Sequence, residues 1–148
     1  MIIISPFAKK LRNGSPHPKD YPYWKELIAL IDEPIVQVGI LGEIQLVDDF
    51  KTNLSLSELE TLVHECRTWI SVDSFFQHFC WDLGKKGIVL FGQSNPAIFG
   101  HEENINLYAT RDGIPYFRQQ QFWLWEQAEV IREAFVKPEL VVSQLKLI

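Results

Sequence analysis

Asp73 and Ser74 are the residues of this sequence whose types and position best suit chemistry. They follow residues 69–72, a short apolar and β-branched run typical of a buried strand, and they precede an aromatic segment that begins at Phe75. Both are helix-capping residue types, so we expect a helix to begin here. The unpaired N–H groups and the positive dipole of a helix start favour an anion, and the Asp73 carboxylate could either accept a hydroxyl or cap the helix.

The surrounding elements form a predicted strand–helix–strand unit. Apolar residues repeat at helical spacing after Ser74, and Gly84 supplies a stop before residues 88–91, a second uninterrupted apolar run. The helical stripe consists of Phe75, Phe76, Phe79, Cys80 and Leu83. In a right-handed parallel unit, Asp73, Ser74 and the polar turn 92–96 lie at the carboxyl edge of the sheet, where open α/β sheets bind ligands.

The rest of the chain continues this alternation of strands and helices. Predicted strands cover residues 1–4, 35–40, 46–50 and 104–108, of which 46–50 is equally consistent with a solvated loop. Predicted helices cover residues 23–31, a segment capped by Ser57, and a terminal segment from Pro138 with Leu140, Val141 and Leu145 as its stripe. Residues 5–22 form a loop long enough to suggest a function. The order predicts an α/β fold, a single Rossmann-like three-layer domain over residues 1–148 with a mostly parallel sheet.

Composition limits the class of partner. The 148 residues are 47% hydrophobic and carry a formal net charge of −5, with a pI of about 5.3, which weighs against nucleic acid and anionic membranes as partners. No apolar run approaches a membrane span, and residues 1–4 are too few for a signal-peptide core. Cys66 and Cys80 have no paired spacing, which favours a reducing compartment over a disulfide or zinc site. We therefore expect a cytoplasmic protein.

The histidines form no pattern typical of a metal site or a nucleophilic triad. His17, His64 and His101 have no partner at suitable spacing, so we expect structural roles for them. Asp82 follows His78 by one helical turn, away from the strand edge, and no nucleophile elbow precedes it, which excludes a hydrolase triad. No metal and no cofactor are expected.

Motifs along nearly the whole chain occur in an order found in one known family. The central stretch contains Val72-Asp73-Ser74, His78, Leu83-Gly84-Lys85, Val89-Leu90-Phe91-Gly92 and Asn95-Pro96. This order resembles the donor-side signature Val-x-Asp-Ser/Thr-Gly-Pro-x-His, Leu-Gly-Lys-Pro, Leu-Phe-Gly-x-Thr-x-Pro of the bacterial heptosyltransferases, glycosyltransferase family 9. Further similar stretches are Ser5-Pro6-Phe7-Ala8-Lys9-Lys10, Tyr21-Pro22-Tyr23-Trp24, the turn 39–43 and residues 53–59.

The resemblance implies the C-terminal, donor-binding half of a two-domain GT-B glycosyltransferase. Family members bind a nucleotide-sugar donor, commonly an ADP-heptose, need no metal and invert the anomeric carbon. The donor-binding residues implied by the match are Lys9 or Lys10 for the diphosphate, Glu43 for the ribose hydroxyls, and Asp73, Ser74 and His78 for the sugar and phosphates. A lysine and a helix N-terminus can stabilise a departing diphosphate without a metal ion.

Two departures from the family pattern bear on the pocket. Phe75-Phe76 replaces Gly-Pro, and Phe7 replaces a glycine of the first loop. Glycine lets the backbone approach a phosphate closely, so these rings either narrow the crevice or line it for another donor. The half that holds the acceptor and the catalytic base in family members has no counterpart in these 148 residues. The catalytic residue is therefore unknown, and we expect an acceptor domain from another chain or from a homo-oligomer.

Different classes of function remain open at this point. The first is a glycosyltransferase-like domain that binds a nucleotide-diphosphate sugar. The alternative is a non-catalytic nucleotide or nucleotide-sugar binding module, or an interaction protein with a vestigial pocket. Phe122, Trp123 and Trp125 are consistent with either the core or an exposed face for association.

Overall fold

In the described part of the chain, six parallel strands form one sheet with helices on both faces. The computed structural model describes residues 1–114, 116 and 122–148, without the side chains of residues 122 and 123. The strands are β1 (Ile2–Ser5), β2 (Ile35–Gly39), β3 (Phe50–Thr52), β4 (Thr68–Val72), β5 (Ile88–Leu90) and β6 (Ile105–Leu107). The helices are α1 (Trp24–Ala29), α2 (Leu56–Glu65), α3 (Phe75–Asp82), α4 (Pro96–Phe99), α5 (Phe122–Trp125) and α6 (Pro138–Leu145), with a 3₁₀ turn over Arg132–Ala134.

The strand order is β3-β2-β1-β4-β5-β6, and every neighbouring pair is parallel. From β1 the chain moves outward through β2 to β3, crosses back through α2 to β4, and moves outward in the other direction to β6. The order therefore reverses between β1 and β4, as in doubly wound nucleotide-binding folds. The predicted Rossmann-like α/β fold is confirmed.

Two cores lie on opposite faces of the sheet, because successive side chains of a strand alternate in direction. In β1, Ile2 and Ile4 pack into the core beneath α1 and α6, whereas Ile3 packs into the core beneath α2 and α3. All three isoleucines are fully buried. This burial on both faces explains why the central strands are continuous apolar runs without a polar alternation.

The start of α2 differs from the prediction. Ser55, not Ser57, is the N-cap: its hydroxyl accepts from the N–H of Glu58 at 3.1 Å, and the Glu58 carboxylate accepts from the N–H of Ser55 at 3.2 Å. This reciprocal capping box satisfies two N–H groups of the helix start. Ser57 lies inside the helix, so α2 begins about half a turn earlier than predicted.

The third strand also lies later than predicted, over residues 50–52 instead of 46–50. The fully buried side-chain amide of Gln37 donates to the carbonyl of Ile44 at 2.8 Å and accepts from the N–H of Leu46 at 2.7 Å. These bonds hold the preceding residues as a loop against the core. Backbone groups that a strand would use are therefore already paired.

Other differences are local. In α6 the buried residues are Pro138, Val141 and Leu145, while Leu140 is 44% exposed. In α3, Phe75 departs from the predicted stripe and is exposed. Trp125 is buried. The side chains of residues 122 and 123 lie outside the described residues, as do residues 115 and 117–121.

Candidate functional site

A crevice of about 590 Å³ opens at the carboxyl edge of the sheet, across the point where the strand order reverses. Its walls are the loop after β1, the end of β2, the start of α2 and the start of α3. The polar and charged lining residues most relevant to a ligand are Lys9, His17, Lys19, Glu43, Asp73 and Ser74. The turn 92–96, which we expected to face the same crevice, does not line it, because β5 is one strand further from the reversal.

Asp73 and Ser74 present unpartnered polar atoms at the start of α3. Asp73 is 4% exposed, and its Oδ1 accepts a hydrogen bond from Gln77 Nε2 at 2.7 Å. Its Oδ2 lies 3.3 Å from Lys19 Nζ in an ion pair without hydrogen-bond geometry, so Oδ2 and the buried Ser74 Oγ have no hydrogen-bond partner. Ser74 is the N-cap of α3, but its side chain makes no capping bond. Buried polar atoms normally have partners, and these are therefore candidates for ligand contacts.

Lys19 is a lysine of the crevice lining that pairs with Asp73, and the sequence did not point to it. It is one of the lining residues, pairs with Asp73, and lies 5.4 Å from the ring centroid of Trp125. Its signal in the sequence is its place between Pro18 and the Tyr21-Pro22 pair, at the end of the long first loop. Lys9 and Lys10 were the predicted candidates because they follow the Ser5-Pro6-Phe7-Ala8 stretch, which resembles the first loop of the family.

Contacts with the C-terminal segment hold the first loop over the crevice. The His17 ring lies 4.9 Å from Trp125, and Arg12 pairs with Glu126 through two contacts of 2.8 and 3.2 Å. His17 Nδ1 accepts from the backbone N–H of Lys19 at 3.1 Å. Burial, aided by the Lys19 charge, lowers the pKa of His17 to about 4. His17 is thus a neutral residue that orients Lys19, a structural role, although it also lines the crevice.

Glu43 lies on the β2 side of the crevice. A Cβ atom at Gly39 would lie 2.0 Å from Glu43 Oε2, so the glycine at the end of β2 is what lets the carboxylate fold back over the strand. Burial raises the pKa of Glu43. Its Oε2 is buried without a hydrogen-bond partner, which makes it an available acceptor.

A second cavity of about 500 Å³ adjoins the first and shares Phe7, Lys9 and Glu43 with it. Lys9 lines both cavities, whereas Lys10 lines only the second. Both lysines are exposed, and within the described residues neither forms an ion pair. They are free to contact an anion but are not held in place for one.

Asp20 is the half-buried aspartate that lines this second cavity. Its Oδ1 accepts the N–H of Ala8 at 2.8 Å, which ties the two ends of the first loop together. Burial raises the pKa of Asp20 to about 7, and the hydrogen bond from Ala8 only partly opposes that shift. Nothing in the local sequence distinguishes this aspartate, because its burial comes from the folded loop.

The match to a known family covers half of the chain. A family model for glycosyltransferase family 9 (heptosyltransferase) matches residues 49–123, which are 75 of the 148 residues. The chain belongs to glycosyltransferase family 9. This membership supports a glycosyltransferase-like function. No curated protein and no solved structure matches the chain.

The family match includes only some of the predicted site residues. Asp73, Ser74 and His78 lie within it, whereas Lys9, Lys10 and Glu43 lie before it. In the described structure, Asp73, Ser74, Glu43 and Lys9 line the crevice. Their roles toward a donor stay predictions.

His78 does not line either cavity of this family member. It is exposed, and its Nδ1 lies 2.7 Å from His101 Nε2. His101 in turn stacks on Trp81, with ring centroids 4.3 Å apart. Partial burial and the neighbouring His101 lower the pKa of His78. The His78 side chain therefore belongs to a cluster with His101 and Trp81, outside the lining of the crevice.

The phenylalanines that replace family glycine and proline residues line the crevice and leave it open. Phe76 is 4% exposed and packs edge-on against Trp69, with centroids 5.7 Å apart. Phe75 is 62% exposed at the rim, and Phe7 lies between the two cavities. The cavity of about 590 Å³ persists beside all three rings.

The described residues offer neither a metal site nor a membrane-spanning helix. No three His, Cys, Asp or Glu side chains among them are grouped so that they could hold a metal ion. Within the same ranges, every helix is too short or too polar to cross a bilayer.

Proposed function

We propose that this chain is the donor-binding domain of a GT-B-type glycosyltransferase and binds a nucleotide-diphosphate sugar, with an ADP-sugar favoured by the family resemblance. The observation that carries the proposal is the ion pair of Lys19 with Asp73 at the start of α3. Asp73 Oδ2 and Ser74 Oγ have no hydrogen-bond partner there, and neither has Oε2 of Glu43, which also lines the crevice.

The diphosphate is proposed to lie between Lys19 and the start of α3. Lys19 supplies a positive charge, and the first N–H groups of α3 have no side-chain cap. Ser74 Oγ adds a hydroxyl donor beside them. These groups would stabilise the negative charge that develops on the diphosphate as it leaves.

The ribose is proposed to lie at Glu43, at the end of β2. An acidic residue at this position of a doubly wound fold suits the ribose hydroxyls. Strands are about 4.8 Å apart, so β2 and β4 are separated by roughly 10 Å, a span that suits a diphosphate over β1. The order along the sheet edge therefore follows the order of groups in the donor.

The chemical step proposed for such a domain is a direct displacement. An acceptor hydroxyl attacks the anomeric carbon, the bond from that carbon to the diphosphate oxygen breaks, and the bonding electrons leave with the diphosphate. The hydroxyl proton passes to a base, which we propose is supplied, with the acceptor site, by another chain or by a second copy of this one. Lys19 and α3 act only on the leaving group.

Calorimetry and thermal shifts with ADP, UDP, GDP, CMP and their sugar conjugates test this proposal. A ligand at one hundred times its dissociation constant adds about 2.7 kcal/mol to the free energy of unfolding. We expect Lys19→Ala and Asp73→Ala to weaken the best ligand about tenfold or more, because each removes a charge-assisted contact. Lys25→Ala, an exposed lysine on α1, is the matched control.

The same titrations show which lysine contributes most to binding and whether the domain only binds the nucleotide. Lys9→Ala and Lys10→Ala test the lysines that the family resemblance suggests, and we expect losses smaller than for Lys19→Ala. His78→Ala is expected to change affinity by less than about twofold, since its side chain lies outside the crevice lining. Binding without transfer to any acceptor would support a binding module, and no binding of any nucleotide at millimolar concentration would overturn the proposal.

A further inference from the structure

Phe75 is an exposed aromatic ring at the rim of the crevice, where the family pattern has glycine. Its side chain is 62% exposed and lines the cavity. The ring of Phe79 lies 5.6 Å away at an interplanar angle of 33°, so Phe75 is supported from one side. A supported ring with most of its surface open beside buried polar groups has the character of a ligand contact.

The order of groups along the sheet edge indicates which part of a donor reaches this ring. Where the strand order reverses, β1 lies between β2 and β4 in the sheet. Glu43 follows β2, Lys19 lies in the loop after β1, and Phe75 begins the helix after β4. A nucleotide-diphosphate sugar has its ribose, diphosphate and sugar in this same order. With the ribose at Glu43 and the diphosphate between Lys19 and the first N–H groups of α3, the sugar extends past the helix start toward the exposed ring of Phe75.

We propose that the Phe75 ring stacks on the sugar of the donor, beside Asp73, the residue to which the family resemblance already assigns a contact with that sugar. The proposal rests on the donor-binding function proposed above and adds the residue that distinguishes a nucleotide sugar from the bare nucleotide. Asp73 Oδ2 has no hydrogen-bond partner, so it is available to a hydroxyl donor two residues before the ring.

The class of sugar follows from the two surfaces. A pyranose ring presents a C–H face, whose partial positive charge suits the negative face of an aromatic ring, while its hydroxyls point outward to polar partners. A carboxylate at the site favours hydroxyl donors over a second anion. The site therefore fits a neutral pyranose on a nucleoside diphosphate.

Paired titrations of diphosphates and their hexose conjugates test the proposal. The probes are ADP with ADP-mannose, UDP with UDP-glucose, and GDP with GDP-mannose, measured by calorimetry on the wild-type chain, Phe75→Ala and Phe75→Trp. Trp81→Ala is the matched control, because Trp81 is a 43% exposed aromatic residue of the same helix that lines neither cavity.

We expect Phe75→Ala to weaken the best-binding sugar conjugate about 3- to 10-fold while its bare diphosphate changes by less than about twofold. Phe75→Trp should keep the difference in affinity between the sugar conjugate and its bare diphosphate. Trp81→Ala should leave both affinities unchanged. Equal losses for conjugate and diphosphate, or no loss for either, would overturn the stacking role alone. If no diphosphate binds the wild-type chain, the donor-binding function fails and this inference fails with it.

Discussion

At the scale of residues, burial sets the charges around Lys19. His17 and Asp20 flank it in the sequence, and burial shifts both toward their neutral forms by lowering the pKa of His17 to about 4 and raising that of Asp20 to about 7. A buried group that stays neutral avoids the cost of an unpaired charge. Within the described residues, the carboxylate that forms an ion pair with Lys19 is that of Asp73, at 3.3 Å.

Asp20→Asn should make stability less dependent on pH. The pKa of Asp20 rises from 3.8 in the unfolded chain to about 7 in the folded one, so the folded state holds more protons between these values and its stability falls as the pH rises through that window. Asparagine can still accept the Ala8 N–H but has no charge to bury. We expect equal stability of the two proteins near pH 4 and a more stable variant near pH 8, measured by urea denaturation.

The variant must be compared with the wild type because the titration of His17 changes the free energy of unfolding with pH in the opposite direction. Its lowered pKa makes stability rise with pH from about 4 to the ordinary value of 6.5. This contribution is common to both proteins and cancels in their difference. A stability difference that stays constant from pH 4 to pH 8 would contradict the assigned burial of Asp20.

At the scale of elements, the start of helix α2 forms an apolar wall of the crevice. The lining residues are Leu56 and Leu59 of the helix and Leu54, which directly precedes the N-cap Ser55. The capping box fixes where the helix starts and hence where these apolar side chains lie. A short polar contact thus sets the position of one crevice wall.

Ser55→Ala should lower the free energy of unfolding by about 1 kcal/mol, because the N–H of Glu58 loses its acceptor. Ser57→Ala is the control, since that serine has a helical position and makes no capping bond. Urea denaturation of both variants measures the difference. An equal or larger loss for Ser57→Ala would contradict the cap at Ser55.

At the scale of the whole molecule, the two ends of the chain meet at the crevice. Trp125, in the C-terminal part of the chain, contacts His17 and Lys19 of the first loop, and Tyr21 donates a hydrogen bond to the carbonyl of Val136 at 2.8 Å. The first loop is therefore held by residues more than one hundred positions later. The position of Lys19 depends on this long-range packing.

Trp125→Ala should destabilise the fold and weaken donor binding together. Replacing a buried tryptophan by alanine costs about 3 kcal/mol or more. The same change frees the loop that carries Lys19, so affinity for the best nucleotide should fall even at temperatures where the variant is folded. Urea denaturation and calorimetry check the two effects, with the exposed Trp81→Ala as reference. Unchanged affinity in a folded Trp125→Ala variant would contradict the dependence of the Lys19 position on packing against the C-terminal segment.

The sequence by itself determined the strand–helix–strand unit from residue 69 to residue 91, and it located Asp73 and Ser74 at a strand end. Both follow from local patterns, namely apolar period and a helix start after a buried strand. The reversal of strand order between β1 and β4 was not predicted explicitly. Parallel crossovers bring the ends of β2 and β4 to one edge, but Glu43 was named only through the family resemblance.

Only the tertiary structure decided which charged side chains reach that crevice. Lys19 rather than Lys9 pairs with Asp73, His78 contacts His101 outside the lining, and Phe75 and Phe76 separate into a rim residue and a core residue. The position of Lys19 depends on how the long first loop packs on Trp125, that of His78 on its contact with His101, and that of Phe76 on its packing against Trp69. Local periodicity carries no information about such packing, because the contacts join residues that are far apart in the chain.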